Sequence, residues 1–371
     1  MNLLNRTSSR RDFVTRVSAG IGAFSLVTAL PSLSAASSVN KSSKLGSAFI
    51  GLGNYATKQL APAMEQAEDC YLAGIVTGTK AKEAVWKEKY GIKKENIYNY
   101  ENFDLIAANA DIDIVYVVLP NSMHAEYTIR AAKAGKHVIC EKPMALTAKE
   151  GQTMIDACEK YNVLLSIGYR LHFDPNTREI MKVAAEKPYG KAQYVHSEAA
   201  FIMGGNKGWR LSKEMAGGGA MMDMGIYSIQ AARYATGEEP IAVRAQEYKT
   251  DQDKFKEVDE TVTWQMEFPG GAYSNSMTSY NARANRLYVS YQKGAALLEP
   301  ATKYTGIKGN IQKRVLEVQP INQQARQMDG FAQSVKSGTP SIVPGEEGMR
   351  DMRVIDAIYR SLANGGRREL I

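Results

Sequence analysis

The 371-residue sequence predicts an α/β protein of two domains, with a doubly wound parallel sheet in the N-terminal half and an α/β domain with an open, mainly antiparallel sheet behind it. Three observations predict this. Short apolar runs alternate with helical patterns between Ser47 and Cys140, the rhythm of successive βαβ units. A glycine-rich turn, Gly51-Leu52-Gly53-Asn54-Tyr55-Ala56, stands between the first run and the first helical pattern. Further on, the alternating run 261–268 meets a second run, 272–280, across Pro269-Gly270-Gly271, which is a hairpin signal.

The N-terminus precedes this scheme and differs from it. Arg10-Arg11 stand before a weakly apolar stretch, Ala19 to Leu33, followed by the small residues Ser34-Ala35-Ala36. About 20 residues are needed to cross a bilayer, so the stretch predicts a cleaved leader over 1–36 and no anchor afterwards. The paired arginines predict the twin-arginine route, which delivers folded proteins, and therefore a periplasmic location. The leader also holds four arginines against one aspartate, so +3 of the formal +7 charge belongs to it and +4 remains. No basic cluster with interleaved aromatics is left beyond it, and nucleic acid is not an expected partner. Cys70, Cys140 and Cys158 show no CxxC spacing, and His124, His137, His172 and His196 show no ligand spacing, so no disulfide framework and no metal are predicted.

Residues 45–168 read as a Rossmann domain. In a GxGxxA turn the first glycine makes the bend and the second lets a pyrophosphate approach the backbone. The small third residue, Ala56, allows close strand–helix packing, and the helix N-terminus receives the negative charge. Helical pattern runs to Glu68; strand 71–76, helix 80–90, strand 114–119, helix 125–134 and strand 138–140 follow. An NAD site carries an acid after the second strand to hold the ribose 2′-hydroxyl. Here the sequence is Thr77-Gly78-Thr79-Lys80-Ala81-Lys82, without an acid, and hydroxyls with lysines suit a 2′-phosphate. NADP is the predicted cofactor.

Residues 169–371 read as the substrate and oligomerisation domain. The hairpin is continued by runs at 286–291 and 295–298, and amphipathic helices are predicted over 323–336 and 346–364, the last a candidate to pack back on the first domain. An open sheet face offers a surface for a homo-oligomer, dimer or tetramer. Within this half lies GGGAMMDMGIYSIQ, residues 217–230, where Asp223 and Tyr227 interrupt an apolar run. Positions i and i+4 share a helix face, and a carboxylate there must be paired or hydrogen-bonded. Either a capped core helix or a reactive site satisfies that demand.

Other segments separate the two readings. Leu119-Pro120-Asn121-Ser122-Met123-His124, Glu141-Lys142-Pro143, Gly168-Tyr169-Arg170-Leu171-His172-Phe173-Asp174 and Trp209-Arg210 accompany that stretch. Together they resemble the glucose–fructose oxidoreductase (Gfo/Idh/MocA) family from about Ala48 to Leu362. Tyr227, where many members have histidine, with Ile97-Tyr98-Asn99-Tyr100 and Gly237-Glu238-Glu239-Pro240, is similar to the glucose–fructose oxidoreductase subgroup. The resemblance implies a catalytic trio of Lys142, Asp223 and Tyr227 over a nicotinamide. Elementary chemistry agrees: oxidising a sugar hydroxyl needs a base, phenols ordinarily ionise near 10, and an adjacent ammonium stabilises phenolate. Asp223 would orient the lysine or the sugar, and glycines 217–219 would let the helix start close against both ligands.

The resemblance also implies cofactor contacts at Gly51, Leu52, Gly53, Asn54, Tyr55, Ala56, Thr77, Gly78, Lys82, Tyr100, Leu119, Asn121, His124, Glu141, Lys142, Arg170, Trp209, Arg210 and Tyr304. His172 and Asp174 would reach sugar hydroxyls beside Asp223 and Tyr227. The implied activity is an exported NADP-dependent sugar oxidoreductase acting at an aldose C1 hydroxyl, with the cofactor recycled in place. A one-way aldose or diol dehydrogenase with exchangeable NADP would use the same trio; the other alternative is a nicotinamide-dependent glycosidase of shared fold and leader type, in which hydride abstraction only activates the sugar for elimination. The glucose–fructose oxidoreductase subgroup has a long arm after the leader that embraces a neighbouring subunit and helps bury the cofactor. Only Ser37 to about Leu45 lie between leader and first strand here, a departure that bears on both the tetramer and the retained cofactor.

Overall fold

The computed structural model describes residues 44–205 and 208–371, so the expected leader over 1–36 and most of the short arm lie outside the described residues. Six parallel strands form the first sheet: β1 (Leu45–Ile50), β2 (Cys70–Val76), β3 (Ile97–Tyr98), β4 (Ile114–Val117), β5 (His137–Cys140) and β6 (Leu165–Ile167), in the order β3-β2-β1-β4-β5-β6. All four residues of β4 are buried, as both faces of a parallel sheet must be. Helices α1 (Lys80–Tyr90), α2 (His124–Lys133) and α3 (Ala148–Lys160) connect the strands. The expected first helix is shorter than its pattern and starts as a π turn over Ala56–Leu60 before Ala61–Met64. Pro62 has no N–H to give and its ring crowds the preceding carbonyls, which a widened turn relieves.

After α4 (Pro175–Glu186) the chain enters the second sheet. Its strands are β7 (Ala192–Ala200), β8 (Ala242–Tyr248), β9 (Thr261–Glu267), β10 (Tyr273–Ser279), β11 (Ala284–Tyr291), β12 (Gly294–Leu298), β13 (Gly309–Ile311), β14 (Arg314–Leu316) and β15 (Glu369–Leu370). The order is β14-β13-β12-β11-β7-β10-β9-β8-β15, and every pairing is antiparallel except β7 with β10. The hairpin β9–β10 forms with Glu267 opposite Tyr273. Alternation assigns the faces: Val195, Ser197, Ala199, Val262, Trp264, Met266, Leu287 and Val289 are buried towards helix α5 (Ile226–Thr236) and its neighbours. Tyr194, His196, Gln265, Asn275 and Tyr288 line the other, open face.

Two C-terminal helices return to the first sheet. Helix α6 (Gln323–Ser337) contributes Ala325, Met328, Phe331 and Ala332 to a core shared with Phe49, Leu60, Tyr116 and Ile139. Helix α7 (Gly345–Ala363) brings Gly345 against Ile155 and Leu165, and Gly348 against Ile167 and Met144. The loops after β4 and β5 therefore meet the segment ahead of α5, where Asn121 donates to the Ala216 carbonyl and Lys142 to the Asp223 carbonyl.

Candidate active site

The glycine turn is built for an anionic backbone ligand. Gly51 has φ +90°, and a Cβ there would fall 2.3 Å from the Val118 carbonyl oxygen, so only glycine fits. A Cβ at Gly53 would meet nothing within 4 Å; it would fill the space in front of the turn that a pyrophosphate needs. Ala56 is fully buried, while Leu52 is buried and Asn54 exposed. At the end of β2 the Thr77 hydroxyl accepts from the Thr79 N–H at 3.2 Å, and Gly78 lies under the Tyr100 ring, 3.2 Å from a Cβ position. The Lys82 ammonium donates to the Leu52 carbonyl at 2.9 Å, which brings one cation to the rim of the turn. These residues fit a dinucleotide with a phosphorylated ribose.

Facing these loops, the 217–230 stretch is not one uniform helix. Met221–Gly225 forms a π turn that leads into α5. π geometry carries about one residue more per turn than an α-helix, and both Asp223 and Tyr227 still face Lys142. Its ammonium donates to the Asp223 backbone carbonyl at 2.5 Å, lies 3.2 Å from Asp223 Oδ1 and sits 4.7 Å from the Tyr227 ring centroid. Burial works against the Asp223 carboxylate, but Lys142 and Arg210 outweigh it and hold its pKa below the ordinary carboxylate value. Burial likewise works against the Lys142 charge, and the facing Tyr227, Asp223 and Glu141 more than restore it. Arg170 lies on the Tyr227 ring at 5.1 Å and on the Tyr304 ring at 4.5 Å, and Tyr304 pairs with Tyr55 of the glycine turn at 6.0 Å. Trp209 carries Arg210 on its ring at 4.3 Å, and Arg210 Nε reaches Asp223 Oδ2 at 3.3 Å.

Several expected ligand contacts are occupied elsewhere. The Asp174 carboxylate caps α4, accepting from the N–H groups of Asn176 and Thr177 at 3.0 Å each and from Gln323 Nε2 at 3.1 Å. It is a helix cap rather than a sugar ligand, because a buried carboxylate at a helix start takes the unpaired N–H groups first. His124 places Nδ1 2.8 Å from the Pro143 carbonyl and Nε2 2.9 Å from the Leu119 carbonyl, so its ring ties the loop that carries Lys142 to the end of β4. Asn121 donates to the Ala216 carbonyl at 2.8 Å. Arg170 donates to the carbonyls of Thr302 and Lys303 and to Gln323 Oε1. His172 packs edge-on against Tyr234 at 5.4 Å, its Nδ1 has no hydrogen-bond partner, and burial pulls its pKa down to about 4.

The glycines before the π turn answer to protein rather than ligand. A Cβ at Gly218 would fall 1.8 Å from the Tyr359 hydroxyl, and one at Gly219 1.9 Å from the Asp259 carbonyl. Asp259 accepts from the Gly219 and Met221 N–H groups at 2.7 Å each and thereby holds the start of the turn. The sequence reading passed over Asp259, and also Tyr280, whose hydroxyl donates to Asp223 Oδ2 at 3.1 Å. Their only signal was position: an acidic pair immediately before a strand, and an aromatic at the end of its hairpin partner.

Comparison with known proteins accords with this architecture. A family model described as an oxidoreductase family with an NAD-binding Rossmann fold matches residues 45–169, and the GFO/IDH/MocA C-terminal domain matches residues 177–297. The chain belongs to the Gfo/Idh/MocA oxidoreductases. Among its relatives is "D-xylose 1-dehydrogenase (NADP(+)) 2" of Haloferax volcanii, 30% identical over 88% of this chain and 98% of the relative. "D-glucoside 3-dehydrogenase" of Escherichia coli is 29% identical over 89% of this chain and 98% of the relative. A solved structure, aldose-aldose oxidoreductase from Caulobacter crescentus complexed with glycerol, is 43% identical, covers 88% of this chain and all of the other, and superposes with a TM-score of 0.85. This Gfo/Idh/MocA member is thus an NAD(P)-dependent sugar oxidoreductase by family.

Proposed function

We propose that this oxidoreductase removes hydride from C1 of an aldose and returns it to a second sugar carbonyl without releasing its cofactor. The observation that carries the reading is the meeting of Lys142, Asp223 and Tyr227 at the mouth of the glycine-turn domain. The cofactor is NADP, supported by the acid-free Thr77–Lys82 segment and by relatives named for NADP. When bound, it supplies a nicotinamide that accepts hydride from the donor carbon and gives it back to the acceptor.

The residues then divide the proton work. Tyr227 takes the C1 hydroxyl proton as the carbon becomes a lactone carbonyl, and gives that proton to the oxygen of the acceptor as its carbonyl becomes an alcohol. The Lys142 ammonium, 4.7 Å from the Tyr227 ring centroid, stabilises negative charge on the phenolic oxygen during the exchange. Asp223 fixes the ammonium and is itself fixed by Arg210 and Tyr280. Over a full cycle one sugar is oxidised by two electrons and another reduced by two, with no net consumption of NADP. That economy suits a protein exported by the Arg10-Arg11 leader into a compartment without an NADP pool. The open sheet face with Tyr194, His196 and Tyr288 is the proposed homo-oligomer surface.

Spectra of the purified protein test the reading. With no cofactor added, an aldose should raise the near-ultraviolet absorbance of reduced nicotinamide, and a second sugar should abolish it. Turnover that appears only with added NADP favours the one-way dehydrogenase that the D-xylose relatives suggest. No reduction by any aldose under either condition overturns both.

A further inference from the structure

Helix α6 lies outside the Lys142–Asp223–Tyr227 constellation, yet two of its glutamines, one helical turn apart, reach the charged groups around it. Gln323 and Gln327 are 1% and 0% exposed and share a face of the helix. Gln323 Oε1 accepts from Arg170, the guanidinium stacked on Tyr227. Gln327 Nε2 lies 2.6 Å from the Tyr116 hydroxyl, which lies 2.7 Å from Glu141 Oε1. Glu141 immediately precedes Lys142, and its carboxylate is walled in: a Cβ on Gly168 would fall 2.6 Å from the same oxygen.

We infer that Gln327 is a positioning residue that sets the direction of this chain and keeps Glu141 ionised beside Lys142. An amide nitrogen only donates and a carboxylate only accepts. With a Gln327 N–H pointed at the Tyr116 oxygen, and the unpartnered Gln327 Oε1 turned away from it, the single phenolic proton is left for Glu141. The groups that face Glu141 are Tyr116 from β4, its neighbours Cys140 and Lys142, Arg170 after β6, Tyr55 of the glycine turn and Tyr304 after β12. Burial pushes the Glu141 carboxyl up; the Tyr116 hydrogen bond and the cations Lys142 and Arg170 limit that rise without cancelling it. Remove or reverse the hydrogen bond and the carboxylic acid persists to higher pH. Lys142 then loses one of the negative charges that hold its own proton.

The role of an ionised Glu141 in turnover rests on the oxidoreductase reading, so the test includes a measurement that does not. Infrared difference spectra across a pH titration follow the carboxylic acid C=O stretch of Glu141, assigned by its disappearance in Glu141→Gln. Gln327→Glu places an acceptor where the donor was and draws the Tyr116 proton away; Tyr116→Phe removes the donor outright. Both should raise the titration midpoint by about one pH unit or more, the scale of a lost hydrogen bond to a charged group. Gln327→Leu leaves Tyr116 free to donate and should shift it less. The acid limb of kcat/KM should move upward in the same order while KM for the sugar changes little. Midpoints that superimpose on the unmodified protein in both Gln327→Glu and Tyr116→Phe, with only Tm reduced, overturn the inference. An infrared shift without a shift in the acid limb leaves the hydrogen-bond direction standing and overturns instead the part assigned to Glu141 in turnover.

Discussion

Replacing Tyr227 by phenylalanine separates chemistry from packing. The ring lies between two cations, with the Lys142 ammonium 4.7 Å and the Arg170 guanidinium 5.1 Å from its centroid, and the residue is only 6% exposed. Phenylalanine keeps the ring, its volume and both cation–π contacts, so the stability loss is limited to the hydroxyl, about 1 kcal/mol. A positioned proton donor and acceptor is worth about 10²–10⁴ in rate, or roughly 3–5 kcal/mol of barrier. Single-turnover reduction of NADP by aldose should fall by that factor in Tyr227→Phe, while NADP affinity and Tm stay close to the unmodified values. Lys142→Met should slow the same step, and the double variant should lose far less than the product of the two, because the groups act as a unit. Near-normal single-turnover rates in Tyr227→Phe, together with a several-degree fall in Tm, would remove the phenol from the mechanism and leave Lys142 as the proton carrier.

Lys82→Ala should weaken NADP binding roughly tenfold, the lower end of a charge-assisted hydrogen bond, and leave NAD affinity nearly unchanged; equal losses for both cofactors, measured by titration, refute a 2′-phosphate contact. His172 stays neutral down to about 4 in the folded protein, whereas an unfolded histidine takes up a proton below about 6.5. The unfolded state therefore binds more protons between these values, and stability should fall as pH drops through that window, by as much as about 3 kcal/mol. Denaturant unfolding of His172→Phe should lose that part of the acid sensitivity. Converting Arg10 and Arg11 to lysine should leave unprocessed precursor in the cytoplasm, and undiminished periplasmic delivery, followed by fractionation, contradicts the twin-arginine assignment.

Much of the fold was legible because its signals are local. Helix α1 has the predicted ends, Lys80 and Tyr90, set by an extended Thr79 before it and a left-handed Gly91 after it. Strands β1, β2, β4 and β5 read as apolar runs because both of their faces are covered, whereas β3 and β6, two and three residues long, are too short to give a run. Strands β7 and β8 gave no such run: Ala-Gln-Tyr-Val-His-Ser-Glu-Ala-Ala presents polar groups to the open face and buries Ser197, which bonds Ser276 of β10 at 2.8 Å. The pairing of β7 with β10 joins residues some 79 positions apart, beyond the reach of any window. The π turn at Met221–Gly225 was equally hidden, since it depends on Asp259 holding the Gly219 and Met221 N–H groups. Motif and spacing located the neighbourhood of the site. They did not tell whether a polar side chain ends on a ligand or on backbone.

That distinction follows a physical pattern. A misplacement of about 1 Å can cost a hundredfold in rate, and each group of the proposed trio sits on a segment that needs an external fastening. Lys142 rides on a loop that His124 ties to β4 through the Pro143 and Leu119 carbonyls. The glycines ahead of Asp223 are held by Asp259 on one side and, one residue earlier, by Asn121 bound to the Ala216 carbonyl. The Tyr304 loop is fastened by Arg170, whose guanidinium would otherwise be a buried and uncompensated charge. Histidine, asparagine and arginine near a cofactor site thus face two demands, ligand and scaffold. Where a buried carbonyl lies within reach the scaffold claims them, because an unsatisfied buried acceptor costs about 1–3 kcal/mol whether or not a ligand is present. The groups left over close on one another and on a ring of charged and polar neighbours: Lys142 holds the Asp223 carbonyl and carboxylate, Arg210 and Tyr280 take the other carboxylate oxygen, and Arg170 lies over Tyr227. Lys142, Asp223 and Tyr227 are such a set, and their meeting point is where we propose that a sugar reacts.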